Sequence, residues 1–349
     1  MILDDEEKMK ELDPEGMLED LDTFPEQCAE ALSIGADLDL PVDLTGLGRV
    51  IVTGMGGSAI SGDLLARLLD LPVVSNRGYM LPRYVDSDDL LVAISYSGNT
   101  EETLSALEDG LSRGMDVICL STGGLLEDFC FQRDLPMIKI PTGHQPRAST
   151  GYILFPLLEI FRRANFAGTL DTQSLIEALE SMRDDWNSSV EVRHNKPKEI
   201  AKEFRDKIPI IYGTKFNTEA VAFRWKTQVN ENAKQPAFWN VFPELNHNEI
   251  VGYELHNTLL DNAKVVLLRN DFDIERNVNR MEIMQEIFDA EKIDYEVVKA
   301  PRGDKYTGIL GQVYFGDYFS VYLAMLNKVD PSPVRLIEDF KKKLESYQN

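Results

Sequence analysis

Hydroxyl-bearing side chains follow one short apolar stretch of the chain at close spacing. Leu90–Ile94 is continuously apolar, as is typical of a strand buried on both faces. The hydroxyls that follow within six residues are Ser95, Ser97 and Thr100. Gly98 predicts a turn, and a helical pattern comes next. Hydroxyls beside the unpaired N–H groups of a helix N-terminus are typical of a phosphate site, although an ordinary strand–helix turn has the same features.

A second loop strengthens the phosphate interpretation. Val50–Thr53 is another apolar strand, followed by the glycine-rich segment 54–59 and a second helical pattern. Neighbouring parallel strands end at one edge of a sheet, where ligands of doubly wound sheets bind. We therefore expect the two loops to face one crevice.

Residues suited to acid–base chemistry occur farther along the chain. Glu231 and His247 are a carboxylate and an imidazole, sixteen residues apart. They could act as base and acid if the fold brings them to one site. Arg147 is a cation in the loop after the predicted strand Met137–Ile140. From the residues alone, a solvated helix charge is the more common role for Glu231 and a surface charge the more common role for Arg147, and spacing leaves these alternatives open.

Strands alternating with helices must position these groups. The apolar strand segments in the first half are Val50–Thr53, Pro72–Ser75, Leu90–Ile94, Val117–Leu120 and Met137–Ile140. Helical patterns separate them and also fill residues 1–45 and 152–205. This alternation predicts an α/β fold with a doubly wound, flavodoxin-like parallel sheet.

The second half shows the same alternation without the two polar loops. Its predicted strands are Ile208–Gly213, Lys264–Leu268 and Tyr295–Lys299, and its predicted helices are Arg276–Ala290, Phe319–Leu326 and Val334–Ser346. We expect a structural repeat that lacks the phosphate site. The predicted domains are residues 1–190, with the phosphate loops, and residues 191–349, with the C-terminal helix.

The composition of the chain argues against several classes of binding partner and of stabilising site. The net charge of −23 argues against nucleic-acid or anionic-membrane partners. Three cysteines without metal-ligand spacing argue against a disulfide framework or a zinc site. No signal peptide is recognisable, and no apolar run approaches the roughly 20 residues of a membrane span. We expect a cytoplasmic enzyme.

Several motifs carry a resemblance to a known family. Gly-Met-Gly-Gly-Ser at 54–58 and Ser-Tyr-Ser-Gly-Asn-Thr-Glu-Glu-Thr at 95–103 resemble a sugar isomerase (SIS) domain. The further matching segments are Pro146–Ala148, Asn230–Lys234, Pro243–Asn248 and the last helix. Together they are similar to archaeal-type bifunctional phosphoglucose/phosphomannose isomerases, a branch of the phosphoglucose isomerase superfamily with two SIS domains. The resemblance covers nearly the whole chain.

The resemblance implies a role for each matching residue. The phosphate-binding positions are Gly56, Gly57, Ser58, Ser95, Ser97 and Thr100. Arg147 matches the arginine that stabilises the developing oxyanion, and Glu231 matches the catalytic base. His247 matches a ring-opening histidine that the other subunit of a homodimer supplies. Lys341 matches a second ring-opening group, with Lys342 in its place if the register shifts by one residue.

The implied reaction is an aldose–ketose isomerisation through a cis-enediol, without metal or cofactor. Glucose 6-phosphate would be interconverted with fructose 6-phosphate, and re-protonation on the other face of C2 would give mannose 6-phosphate. Val334 departs from the family pattern, because members can carry a threonine there; the nearest hydroxyl in this chain is that of Ser332. This departure concerns the mannose activity more than the glucose activity.

Other functions account for fewer of these features. The Gly54-x-Gly56-x-x-Ala59 pattern suits a dinucleotide-binding oxidoreductase, but no acid follows at the end of the second strand, which continues into Ser75, Asn76 and Arg77. A non-catalytic phosphosugar sensor and an isomerase of another sugar phosphate stay open. An amidotransferase would need a domain that begins with a nucleophilic cysteine.

Overall fold

Short apolar strands form a parallel sheet in the first half of the chain. The computed structural model describes residues 1–38, 42, 44–255 and 258–347. Its first sheet contains β1 (Val50–Thr53), β2 (Val73–Asn76), β3 (Leu90–Ile94), β4 (Asp116–Ser121) and β5 (Met137–Lys139). The spatial order is β2-β1-β3-β4-β5, with every pair parallel. This flavodoxin-like order confirms the predicted fold class and places the topological switch point between β1 and β3.

Helices cover this sheet and precede it, as predicted. They are α1 (Glu6–Leu12), α2 (Met17–Asp22), α3 (Phe24–Ala36), α4 (Gly56–Leu68), α5 (Glu101–Ser112), α6 (Gly124–Arg133), α7 (Thr150–Arg163), α8 (Thr172–Trp186) and α9 (Lys196–Glu203). The Asp13 carboxylate caps α2 by accepting from the N–H groups of Met17 and Leu18 at 2.8 and 2.7 Å. The helices α4 and α5 begin directly after the loops of β1 and β3, which positions their N-termini at the switch point.

A second parallel sheet repeats the arrangement. It contains β6 (Ile208–Thr214), β7 (Phe238–Phe242), β8 (Ala263–Arg269) and β9 (Tyr295–Lys299), in the order β7-β6-β8-β9. Its helices are α10 (Glu219–Asn232), α11 (Thr258–Asp261), α12 (Glu275–Glu291), α13 (Lys305–Asn327) and α14 (Arg335–Glu345). The sequence prediction omitted β7, a short edge strand between Pro236 and Pro243 whose apolar residues are interrupted by Asn240.

The helix α13 is much longer than the predicted Phe319–Leu326. Every residue from Tyr306 to Leu326 is buried, so the helix is enclosed on all sides and forms the centre of the molecule. Its glycines permit close packing: a Cβ on Gly316 would lie 2.1 Å from the indole nitrogen of Trp225. The predicted helix therefore exists but begins fourteen residues earlier, at Lys305.

The proposed division between residues 190 and 191 falls between α8 and α9 and stays a prediction. Within the described residues, no helix combines the length and apolar character needed to cross a membrane. The last helix agrees with its predicted bounds to within one residue at each end, and its apolar side chains, including Leu336 and Phe340, are exposed.

Candidate active site

The two polar loops lie side by side at the switch point of the first sheet. β1 and β3 pair in register, with Thr53 opposite Ala93, so their following loops leave the sheet together. The loops approach closely: a Cβ on Gly54 would lie 2.9 Å from the Ile94 carbonyl oxygen. The structure thus brings together the two segments that the sequence predicted to share one crevice.

The hydroxyl-rich loop after β3 is organised by its own side chains. The hydroxyl oxygens of Ser95 and Thr100 lie 2.8 Å apart, and the Ser97 hydroxyl accepts from the backbone N–H of Asn99 at 3.3 Å. The turn residue Gly98 has φ +72°, and a Cβ there would lie 1.7 Å from the Gly123 carbonyl oxygen, so only glycine fits. The loop therefore holds its hydroxyls in place at the N-terminus of α5.

The glycine-rich loop offers backbone donors beside those hydroxyls. α4 begins at Gly56, and in the described structure no side chain caps its N-terminus. Gly56 adopts φ +52°, while Ser58 is buried in the first turn. Uncapped N–H groups and the positive end of a helix dipole favour an anion at this point.

Arg147 lies against the glycine-rich loop and extends into the second half of the chain. A Cβ on Gly57 would lie 3.7 Å from the Arg147 Cα, so the arginine backbone is next to the start of α4. The side chain is only 4% exposed. Its Nε donates to Asn232 Oδ1 at 2.6 Å, and its Nη2 donates to the carbonyl oxygens of Pro331 and Ser332 at 2.6 and 2.7 Å. Three segments distant in sequence therefore meet at one guanidinium.

Glu231 meets the same guanidinium from the last turn of α10. Its Oε2 lies 3.8 Å from Arg147 Nη1, and its side chain is 29% exposed, so solvent and small molecules can reach it. Burial lowers the pKa of Arg147, and the negative charge of Glu231 opposes this effect. An accessible carboxylate beside a buried cation is an arrangement suited to proton transfer with stabilisation of an oxyanion.

A buried ion pair holds the backbone of Arg147 in place. Arg224 on α10 donates from Nε and Nη2 to the carboxylate of Asp317 on α13, at 2.9 and 2.7 Å. The same Nη2 donates to the Arg147 carbonyl oxygen at 2.8 Å, and Gln228 donates to Asp317 at 2.8 Å. Sequence analysis missed this network, because isolated charges on helices look like surface residues until the helices are packed.

His247 lies at the other end of the second sheet. α10 runs back from the carboxyl end of β6, and Gln235, just beyond Glu231, donates to the Lys207 carbonyl at the amino end of that strand. His247 instead follows the carboxyl end of β7, where Phe242 pairs with Thr214. The strands separate the two ends by roughly 20 Å. The structure therefore does not bring Glu231 and His247 of one chain together.

Lys341 and Lys342 are not brought to Glu231 either. Both lie on the exposed helix α14, and neither side chain forms an ion pair or hydrogen bond with another described residue. The helix nevertheless starts close to the site, since the carbonyl groups of Pro331 and Ser332 bind Arg147 just before it. The Ser332 hydroxyl is buried and has no partner among the described residues. Val334 forms the N-cap position of α14.

The equivalent crevice of the second sheet is filled by a carboxylate. Asp273, in the loop after β8, accepts from Asn217 Nδ2 and from the Asn270 N–H at 2.6 and 2.8 Å, and it also accepts from the Thr214 hydroxyl. Both contributing loops follow the central strands β6 and β8, as the phosphate loops follow β1 and β3. This agrees with the prediction of a repeat that lacks the second phosphate site.

A large cavity lies away from these residues. Its volume is about 770 Å³, and its lining includes Arg49, Pro72 and Asp89, which lie at the amino ends of the first strands. The residues predicted for catalysis or phosphate binding do not line it. The candidate site is instead the crevice between the carboxyl edge of the first sheet and the end of α10.

Comparisons with known proteins point to one family. The SIS domain family model matches residues 43–125, and the model for the bacterial phospho-glucose isomerase C-terminal SIS domain matches residues 193–344. A bifunctional phosphoglucose/phosphomannose isomerase from Caldicellulosiruptor bescii is 40% identical over 334 residues, covering 94% of this chain and 98% of that protein. A protein of the same name from Aquifex aeolicus is 35% identical, covering 88% and 94% of the two chains.

A solved structure agrees at the level of the fold. The crystal structure of a hypothetical protein from Thermus thermophilus matches with a TM-score of 0.72 and 16% sequence identity. The match covers 97% of this chain and 94% of that chain.

Proposed function

The chain belongs to the family of bifunctional phosphoglucose/phosphomannose isomerases, and we propose that it interconverts glucose 6-phosphate and mannose 6-phosphate with fructose 6-phosphate. The observation that carries the proposal is the 3.8 Å approach of the Glu231 carboxylate to Arg147, directly beside the two polar loops. A base, a cation and a set of anion-binding donors are the groups that a sugar-phosphate isomerase needs.

The polar loops bind the 6-phosphate of the substrate. The N–H groups at Gly56 and Gly57 and the hydroxyls of Ser58, Ser95, Ser97 and Thr100 supply the donors. The protein carries a net charge of −23, so these local donors and the helix dipoles must outweigh the overall field. Holding the phosphate fixes the distance from it to C1 and C2, which then lie at Glu231.

Glu231 moves one proton between two carbon atoms of the open-chain sugar. It takes the proton from C2 of the aldose, a double bond forms between C1 and C2 as the C1–O1 double bond becomes single, and O1 takes a proton from solvent. The protonated Glu231 then gives its proton to C1 of the cis-enediol, while the O2 proton passes back to solvent and O2 becomes the ketose carbonyl. Arg147 stabilises the negative charge that develops on the oxygens, an interaction that its burial strengthens.

One site serves both aldoses in this proposal. Protonation of the enediol at C2 on one face gives glucose 6-phosphate, and protonation on the other face gives mannose 6-phosphate. In place of a threonine at Val334, we assign a role at the C1–C2 end to Ser332, whose carbonyl oxygen accepts from Arg147 and whose hydroxyl has no partner among the described residues.

Ring opening requires groups beyond those that meet in one chain. We assign it to His247 of a second subunit and to Lys341, which transfer a proton to and from the ring oxygen. The location of His247 and Glu231 at opposite ends of the second sheet supports a homodimer, because one chain cannot supply both groups to one site. The exposed helix α14 leaves Lys341 free to approach a bound sugar.

Turnover of both aldose phosphates tests the proposal. Glucose 6-phosphate and mannose 6-phosphate are each supplied with EDTA to the wild type, to Glu231→Gln and to the matched variant Glu219→Gln, at the other end of α10. We expect activity on both sugars in the wild type and Glu219→Gln and its loss in Glu231→Gln. Activity on glucose 6-phosphate alone would remove the second substrate, and a wild type inactive on both would refute the proposal.

Subunit mixing tests the dimeric site. Glu231→Gln and His247→Ala proteins, each inactive alone, should regain activity when their subunits exchange, because a mixed dimer contains one site with both native groups. Proven exchange without recovery would show that each site is formed within one chain.

A further inference from the structure

Lys234 joins two segments of the candidate site, and the residue roles described above do not include it. Its ammonium donates to the Glu231 carbonyl oxygen at 2.5 Å and to the Pro331 carbonyl oxygen at 2.9 Å. The Pro331 oxygen also accepts from Arg147 Nη2 at 2.6 Å. Two cations therefore hold the same carbonyl group, one from the end of α10 and one from the loop of the first sheet.

The backbone of Lys234 adopts a conformation that usually belongs to glycine. Its φ is +54°, in the left-handed region, just after the C-cap of α10. This region costs an L-residue about 1 kcal/mol or more, and glycine is the common residue at such helix ends. A lysine here brings an ammonium to Pro331 that glycine could not supply.

Other charges surround the ammonium. Burial and the positive charge of Arg147 lower the pKa of Lys234 to about 8, although the negative charges of Asp330 and Glu231 oppose this shift. At neutral pH the ammonium is thus protonated but close to titration. Its contacts with two carbonyl oxygens are strong, since hydrogen bonds from a charged donor exceed neutral ones.

We propose that Lys234 is a positioning residue of the active site, which ties the end of α10 to the Pro331–Ser332 segment and so fixes Glu231 relative to Arg147. This inference rests on the proposed isomerase function. Lys234 acts through the backbone: without it, Pro331 would be held from one side only, and both the catalytic carboxylate and the base of α14 would be free to shift.

The test is the substitution Lys234→Gly, because glycine suits the left-handed backbone and removes the side chain that carries the ammonium. Lys292→Gly is the matched control, since Lys292 is exposed like Lys234 and has φ +58° at the end of α12, but its side chain forms no hydrogen bond or ion pair with the described residues. We expect kcat on glucose 6-phosphate to fall about tenfold to a hundredfold in Lys234→Gly, the range of a lost charged hydrogen bond. KM should change less than about threefold, because the phosphate loops are untouched.

Hydrogen exchange provides a readout besides activity. The backbone amides of residues 330–336 should exchange faster in Lys234→Gly than in the wild type or Lys292→Gly, while those of the phosphate loops are unchanged. Propylammonium ions, which can occupy the vacated space, should restore part of kcat.

Each outcome is decisive. A kcat for Lys234→Gly equal to that of Lys292→Gly, or unchanged exchange at residues 330–336, would overturn the inference while leaving the isomerase proposal intact. A wild type inactive on both sugar phosphates would instead refute the proposed function itself. A loss of activity that merely followed a loss of folded protein would also overturn the inference, because a positioning role requires a folded variant with low kcat.

Discussion

The buried pair of Arg224 and Asp317 should be among the most sensitive points of the molecule. The two side chains are 1% and 2% exposed and meet through two hydrogen bonds of 2.9 and 2.7 Å. Burial raises the pKa of Asp317, and the charge and hydrogen bonds of Arg224 oppose that shift. Removing one partner leaves the other charge buried and unpaired, which costs about 3–5 kcal/mol.

The perturbation is a double-mutant cycle of Arg224→Met and Asp317→Asn. Each single substitution should lower the free energy of unfolding by about 3–5 kcal/mol, and the double variant should lose at least about 2 kcal/mol less than the sum. Both singles should also lower kcat, because Arg224 donates to the Arg147 carbonyl oxygen at 2.8 Å. Unfolding in urea and steady-state turnover measure the two effects.

An exposed ion pair provides the control. Arg193 and Glu191 approach to 2.6 Å, but their side chains are 74% and 58% exposed. Breaking that pair should cost only about 0–1 kcal/mol and leave kcat unchanged. The reasoning would be refuted if Asp317→Asn cost less than about 1 kcal/mol, or if the exposed pair proved equally costly at the same N–O distance.

Further predictions concern the phosphate loop, acid stability and the unpartnered hydroxyl. Ser95→Ala should raise KM for glucose 6-phosphate about tenfold with little change in kcat, since it removes a donor to a charged phosphate; Ser112→Ala, on the exposed end of α5, should change neither value. Burial would raise the pKa of Asp89, but hydrogen bonds from Arg49 and a backbone N–H outweigh it and leave the pKa below its usual value. The stability that Asp89 contributes is therefore present above its unfolded pKa of about 3.9 and is lost as the pH falls through the lower folded pKa. Asp89→Asn should accordingly narrow the difference in melting temperature between pH 7 and pH 3. An unchanged difference would contradict this. Ser332→Ala should alter the free energy of unfolding by less than about 1 kcal/mol, because its hydroxyl has no partner to lose among the described residues, but should lower kcat/KM for mannose 6-phosphate; unaltered kinetics would remove Ser332 from the site.

The first sheet could be predicted because its local signals agree with its tertiary environment. β1 and β3 are buried on both faces, so their sequences are continuously apolar and bounded by turn residues. The positions of the two polar loops then follow from topology alone, because parallel neighbours end at one edge. Sequence patterns of only four to nine residues were therefore enough to predict that the two polar loops lie side by side.

Other features depend on packing that the sequence does not display. The strand β7 is a short edge strand of mixed character, and the glycines of α13 weaken its helix pattern even though Gly316 is needed for contact with Trp225. The partners of Arg147 come from residues 232, 331 and 332, so no local pattern indicates them. The role of Lys234 could not be predicted for the same reason, since it depends on a segment almost a hundred residues away.

The sixteen-residue spacing of Glu231 and His247 in the sequence does not indicate that the fold places them far apart. It depends on the direction of α10 relative to β6 and on which end of β7 the histidine follows. Only the sheet topology gives this information, and it makes the dimer a requirement of the proposed ring-opening step.

Solvent deuterium tests the central claim, that Glu231 moves a proton between C1 and C2, most directly. Wild type, Glu231→Gln and Glu219→Gln proteins are incubated with fructose 6-phosphate in D₂O, and deuterium at C1 of the ketose and C2 of both aldoses is followed by NMR. We predict incorporation at these carbons with the wild type and Glu219→Gln and none with Glu231→Gln, although the last should still bind the sugar phosphate. Incorporation by Glu231→Gln at the wild-type rate would contradict the account, because another group would then be the base.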